Sequence, residues 1–429
     1  MRRRWLYFPL LLLIMGPSLW ATQVKEEELT VITDVRIVSV VGEDIPQGTI
    51  VIRGNKIEAV GAGLTIPPGA RVISGRGLTA YPGMTDASST LGLYEIGSIQ
   101  ATIDYRETGR INPQVLTTEA LRPDSMHIPV ARANGITTAL ITPSGGLIAG
   151  RSGLVQLAGE TPPEMVLKSP VAMHIELPAI ARGFRRQATQ REDGSRLLEE
   201  VKNILDEASF YEKKKMFASK NKLIGPPDFD EKLEALLPVV HAELPVIISV
   251  HSAQDIRAAI KFVSEQKLKA IFYGVSQGWM VAKEIAQAGI PVIFGSLYDL
   301  PPSWEDGYDA LYRNPGVLRQ AGVKIAFSSS SASLAKELPY HAAKAAAFGL
   351  DKREALKAVT IYPAEILGVD NLIGSLEKGK LANIVLAEGD ILEQRTVIRH
   401  VFINGVEISL SSIYEQLLEK YKKRNAKIE

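Results

Sequence analysis

The sequence predicts an α/β protein: a (β/α)8 TIM-like barrel inserted in a small β-sandwich built from both chain ends. Three observations carry this. Residues 80–369 alternate short, almost continuously apolar runs with amphipathic segments, the pattern of buried parallel strands joined by helices. Alternating segments rich in Val and Ile flank that stretch on both sides. A chain of 429 residues is also too long for one small domain. The predicted organisation is an export signal at 1–21, a composite β-sandwich from 28–80 plus 372–409, the barrel at 81–371, and a C-terminal amphipathic helix at 410–429.

Taken in order, Arg2, Arg3 and Arg4 precede an apolar run from Trp5 to Met15, and Gly16-Pro17-Ser18-Leu19-Trp20-Ala21 follows. A basic region, a hydrophobic region and a small residue at a cleavage point make a secretory signal peptide. The run is shorter than the ~20 residues of a membrane span. The expected location is secreted or periplasmic after cleavage, with an uncleaved anchor as the alternative. The chain has no cysteine, so neither a disulfide nor thiolate chemistry is possible. A formal net charge of +1 gives no reason to expect nucleic acid as a partner. Lys213-Lys214-Lys215 reads as the solvated face of a helix.

Strand-like stretches begin with LTVITDVRIVSV, GTIVIRG and KIEAVG, and Gly54-Asn55 suits a two-residue hairpin turn. Residues 135–143, 244–250, 269–275, 290–297 and 323–329 read as barrel strands. Ser252 with Asp255, and Asp351 with Glu354, mark helix starts. Pro363 suits a first helical turn, and Gly368 the position past its end. SGGLIAGRSG at 144–153 reads as a loop needing positive φ; no Lys-Ser/Thr follows, so it is not a phosphate loop. Strands return at 373–390 and 397–408, with Asn404-Gly405 as a hairpin turn. In the tail, Ser412 and Glu415 form a capping box, and Ile413, Leu417 and Tyr421 share a face that either docks on the body or serves as a subunit interface.

The segment YPGMTDASST opens the barrel. If 85–90 is a strand, Asp86, Ser88 and Thr90 project from one face. Far downstream stand Thr360, Pro363-Ala364, Leu367-Gly368, Gly374-Ser375-Leu376, Gly379-Lys380, Ala382 and Asn383. Together these stretches resemble the amidohydrolase superfamily, most closely its imidazolonepropionase- and prolidase-like secreted group. The resemblance covers nearly all of the chain after the signal. It implies a barrel whose mouth holds zinc or another divalent cation on His-x-His from strand 1, His from strands 5 and 6, and Asp from strand 8. That cation would activate water for hydrolysis of a non-peptide C–N bond.

At every one of those positions this chain differs. The strand-1 pair is Ser88 and Thr90, and the strand-5 position falls on Ser249 with His251 two residues on. The strand-6 position falls on Gly274 and the strand-8 position on Ser330. Hydroxyls are poor zinc ligands, so neither metal ligands nor a cofactor are expected. The six histidines (His127, His174, His241, His251, His341 and His400) are scattered, and His174 with Glu176 is the same-face pair. The Ser328–Ser331 run lacks the Gly-x-Ser-x-Gly elbow of a serine nucleophile. The candidate catalytic groups are His251 and Asp86. The predicted mouth is Ser88, Thr90, His174, Glu176, Ser249, Gly274 and Ser330.

The expected function is that of an amidohydrolase-family protein with a degenerate metal site: a catalytically impaired or non-catalytic ligand-binding or partner subunit. The alternative is an active hydrolase of a small amide or cyclic amide with a rebuilt or metal-free site. Expected partners are a polar small molecule and a His-bearing amidohydrolase homologue in an oligomer, with no nucleic acid.

Overall fold

The computed structural model describes residues 28–177, 194–221, 223–301, 303 and 305–425. The predicted export signal and the end of the tail lie outside the described residues. Five N-terminal strands come first: β1 (Leu29–Ile37), β2 (Ile45–Arg53), β3 (Lys56–Gly61), β4 (Arg71–Ser74) and β5 (Thr79–Pro82). Eight follow: β6 (Met84–Ser89), β7 (Ile136–Ile141), β8 (Ile148–Gln156), β9 (Val166–Glu176), β10 (Val246–Val250), β11 (Ala270–Gly274), β12 (Val292–Phe294) and β13 (Ile325–Phe327). The last are β14 (Ile384–Glu388), β15 (Val397–Ile403) and β16 (Val406–Ile408).

The first and last groups share one sheet, ordered β16-β15-β14-β5-β1-β2-β3, with β4 paired to β1. The two ends of the chain meet where β5 runs antiparallel to β14, Tyr81 opposite Val385. Branched residues alternate along these strands, and one face packs into a buried cluster that includes Ile32, Val35, Ile50, Ile384 and Phe402. Asn404 and Gly405 both take positive φ in the turn between β15 and β16, as a two-residue hairpin requires.

Strands β6 to β13 form the second sheet in chain order, and β13 returns beside β6 to make the barrel. The connecting helices are α1 (His127–Ala133), α2 (Pro162–Met165), α3 (Gly194–Lys220), α4 (Glu231–Val240), α5 (Ala253–Gln266), α6 (Ala282–Ala288) and α7 (Ala310–Gln320). After β13 come α8 (Leu338–Ala347), α9 (Lys352–Lys357) and α10 (Ile361–Ile366). Strand residues such as Ile248, Phe272 and Phe327 share a buried cluster with Val201, Ile256, Ile285 and Leu318 from the helices. The capping signals are realised: Ser252 accepts from Asp255 N, and Asp351 from Arg353 N and Glu354 N.

One strand departs from the expected pattern. Ile148–Gln156 is not loop but β8, and it runs antiparallel to both β7 and β9. Only residues 142–147 link β7 to β8, whereas a parallel crossover needs a dozen or more. Positive φ is confined there to Gly145 and Gly146 in the turn and Gly150 in the strand. The tail helix α11 (Ile413–Asn425) also departs from the docked reading, because Ile413, Leu417 and Tyr421 stay exposed.

The barrel closes at the seam between β6 and β13. Ser330 N donates to Ser88 O at 3.0 Å. Asp86, fully buried, accepts from Ser329 N at 2.9 Å and also from the Ser329 hydroxyl. Burial pushes the Asp86 carboxyl up to about 7, against the opposing effect of these hydrogen bonds. The folded protein therefore holds this proton more tightly than the unfolded chain does, so stability is full at low pH and is lost as pH rises. For this group, melting temperature should fall between pH 3.8 and about 7 and level off above. In Asp86→Asn the fall should flatten, which thermal denaturation across that pH range will read.

Candidate functional site

Every barrel strand sends at least one apolar side chain into an interior cluster, from Ala87 on β6 through Ile247 on β10 to Ala326 on β13. Leu367, Val369, Ile373 and Leu381, from the segment after α10, join the same cluster. Side chains alternate along a strand, so the next inward position lies two residues on. Those positions are Thr142, just past β7, His174 on β9, Ser249 on β10, Tyr273 on β11 and Ser328, just past β13. An apolar interior is thus overlain by hydroxyls and one imidazole. Just past β12 the matching residue is Gly295, where a Cβ would stand 3.5 Å from both Ser330 Oγ and Tyr273 Oη.

A cavity of about 440 Å³ opens above this layer, at the C-terminal ends of the parallel strands. Ser88, Thr90, Thr142, His174, Glu176, Ser249, Tyr273 and Ser330 line it, with Tyr94, Tyr105, Ser144, Ser331 and Ser333 from the loops. The hydroxyls bond to one another. Tyr273 donates to Ser330 Oγ at 2.7 Å, Ser330 and Ser328 lie 3.2 Å apart, and Ser328 donates to Phe294 O at 2.8 Å. Ser88 and Thr142 are 3.1 Å apart. His174 is the exception: it is buried, and its Nε2 has no hydrogen-bond partner. Burial holds its pKa down at about 3, so the ring is neutral. Glu176 accepts from Gly145 N at 2.9 Å, and burial raises its pKa. Burial likewise raises the Tyr273 phenol.

Strain gathers at this rim. Gly274, Val275 and Ser330 all have positive φ, which costs energy for a β-branched residue such as Val275.

Among known proteins, the pattern of the Amidohydrolase family matches residues 125–408. The chain belongs to the amidohydrolase family. An amidohydrolase of Hapsidospora irregularis is 23% identical over 84% of this chain and 39% of its own length. An adenine deaminase of Desulforamulus reducens is 24% identical over 90% of this chain and 58% of its own. The chain thus spans well under two thirds of these curated relatives. The crystal structure of an amidohydrolase from Thermotoga maritima is 25% identical, with a TM-score of 0.79 over 89% of this chain and 99% of that one.

Amidohydrolases imply a divalent cation, but the residues of this cavity do not fit one. Its imidazole and carboxylate are His174 and Glu176; the remaining polar side chains are hydroxyls. Among the described residues there is no group of three or more His, Cys, Asp or Glu able to hold a metal ion.

Ser88, Thr90, His174, Glu176, Ser249 and Ser330 are brought together in the cavity wall. Gly274 and His251 are not among its lining residues. Ser249 pairs with Tyr273, so it is Tyr273 that shares its inward face, one residue before Gly274. His251 lies past the end of β10 and packs over Gly274, where an added Cβ would come 2.5 Å from its Cε1. Its Nδ1 is 3.0 Å from Ser276 Oγ. Asp86 does not share a face with Ser88 and Thr90 either. The register slips between Asp86 and Ser89, a β-bulge that puts Ala87 inside and turns Asp86 to the seam. Tyr273, Thr142, Tyr94 and Tyr105 were not among the predicted site residues. Pairing β10 with β11 by register would have found Tyr273.

Two substitutions separate the roles of these groups. Tyr273→Phe removes one satisfied buried hydrogen bond and should lower stability by about 1 kcal/mol. His174→Leu removes an unpartnered buried nitrogen and should leave the melting temperature unchanged or raised. Chemical denaturation of both variants measures the difference.

Proposed function

We propose that this amidohydrolase-family chain binds a small polar molecule at its barrel mouth and does not run metal-dependent hydrolysis of non-peptide C–N bonds. The observation that carries this reading is the layer of neutral donors and acceptors where a cation would need imidazoles and carboxylates. Within it, His174 Nε2 is a buried polar atom that still lacks a partner. A neutral imidazole nitrogen donates or accepts according to its tautomer, so a ligand amide, hydroxyl or amine can complete it.

The charge of the lining narrows the ligand further. Glu176 is its carboxylate, and neither Lys nor Arg is among the lining residues. A carboxylate or phosphate ligand would meet no counter-charge, whereas amides, ureas, polyols and amines find hydroxyls and Glu176. The cavity suits a small molecule of this kind in size and enclosure. In this proposal turnover belongs to a His-bearing amidohydrolase partner chain, and the exposed apolar face of α11 is available for that contact. The chain would act in the secreted or periplasmic space after loss of residues 1–21.

Elemental analysis of the dialysed protein should find no stoichiometric zinc, manganese or iron. Small neutral amides and amines should raise its melting temperature, acids of the same size should not, and His174→Leu should abolish the effect. One tightly held metal ion per chain, or hydrolysis of an amide lost in His174→Leu, would sink the proposal in favour of a rebuilt hydrolytic site.

A further inference from the structure

Helix α3 buries Val201, Leu205, Ala208, Tyr211 and Ala218. By the helical repeat, Phe210, Lys214 and Phe217 lie on the opposite, solvent-facing side. A merely solvated face explains the lysines but not the rings. Phe210 is 58% exposed and Phe217 59%, and the next segment adds Leu223 at 95% and Phe229 at 77%. Lys213, Lys214 and Lys220 are exposed among them. Lys214 Nζ sits 4.5 Å from the centre of the Phe210 ring.

Of the nearby acids, Glu234 is ion-paired with Lys215 and Glu212 lies 2.9 Å from His241 Nε2. Asp206 lies near Lys202, and Glu207 and Asp228 stay exposed at the edges of the face. Asp230 is committed to the start of α4, accepting from Lys232 N and Leu233 N. With Lys215 spent on Glu234, residues 210–220 still hold Lys213, Lys214 and Lys220 against Glu212.

We propose that this face of α3, with the loop after it, docks on an anionic lipid surface. The phenylalanine rings and Leu223 enter the boundary between headgroups and acyl chains, and the lysines meet lipid phosphates. Cationic residues interleaved with exposed aromatic and aliphatic ones are the pattern of a helix that lies in a bilayer interface. A protein-binding patch would instead be depleted of lysine.

The test is flotation of the full chain with vesicles of pure phosphatidylcholine and vesicles enriched in phosphatidylglycerol. Wild type, Phe210→Ser with Phe217→Ser, and Lys213→Glu with Lys214→Glu are compared. The apolar run at 5–15 is common to all three, so differences between them read α3. The expected result is binding to the anionic vesicles that weakens with added salt. Each lysine lost should weaken it about five-fold, and the phenylalanine pair should be needed as well. Because all four side chains are exposed, circular dichroism melts of the variants should match wild type, and each pair serves as the check if the other misfolds. Equal binding by wild type and both variants, or no preference for anionic vesicles, overturns the proposal. So does self-association in solution that the phenylalanine variant abolishes, which would make the face a contact between copies.

Discussion

Asp86 stands where the first and last strands of the barrel meet, and its carboxylate accepts from both the backbone and the side chain of Ser329. The closure of the barrel depends on this contact, and the geometry of the mouth depends on the closure. Ser88 and Ser330 come within reach of one cavity because the seam brings Ser330 N to Ser88 O. The bulge that turns Asp86 toward the seam also resets the alternation, so that Ser88 and Thr90 face the cavity while Asp86 does not. A carboxyl that strict alternation would place at the mouth is instead buried at the seam, where it ties the first barrel strand to the segment after the last.

Above the seam, the interior changes character within one step along each strand. The apolar cluster ends, and a layer of hydroxyls begins whose members are largely satisfied by one another. In the proposed function such a layer receives a neutral ligand rather than a divalent cation, because its dipoles are already oriented and few need to be reorganised. The same burial that keeps His174 uncharged leaves its free nitrogen as the strongest unmet demand in the cavity wall.

The main architecture could be read from the residues because its signals are local. Continuous apolar runs marked β7, β10, β11, β12 and β13, capping residues marked the starts of α5, α9 and α11, and hairpin turns marked the two-ended sheet. The illegible parts were those fixed by neighbours. Strand β8 is built of Gly, Ala, Ser and Arg as much as of aliphatic residues, and only the short link at 142–147 dictates its direction. The choice between Tyr273 and Gly274 is a matter of register, and a strand buried on both faces shows no polar alternation to set it. The role of Asp86 depends on a bulge, which has no sequence mark in Thr85–Ser89.

The segment after α10 ties the barrel interior to the two-ended sheet. Leu367, Val369, Ile373 and Leu381 belong to the same buried cluster as the strand residues inside the barrel. Asn383, two residues on, accepts from Gly83 N through its carbonyl, and β14 covers the edge of β5. The barrel is therefore not a module that can be cut free. A chain ending near residue 371 would open that cluster to water and leave β5 with a bare edge, inviting other chains to pair there. Although the fold divides visually into two parts, it is indivisible as a unit of inheritance and of expression.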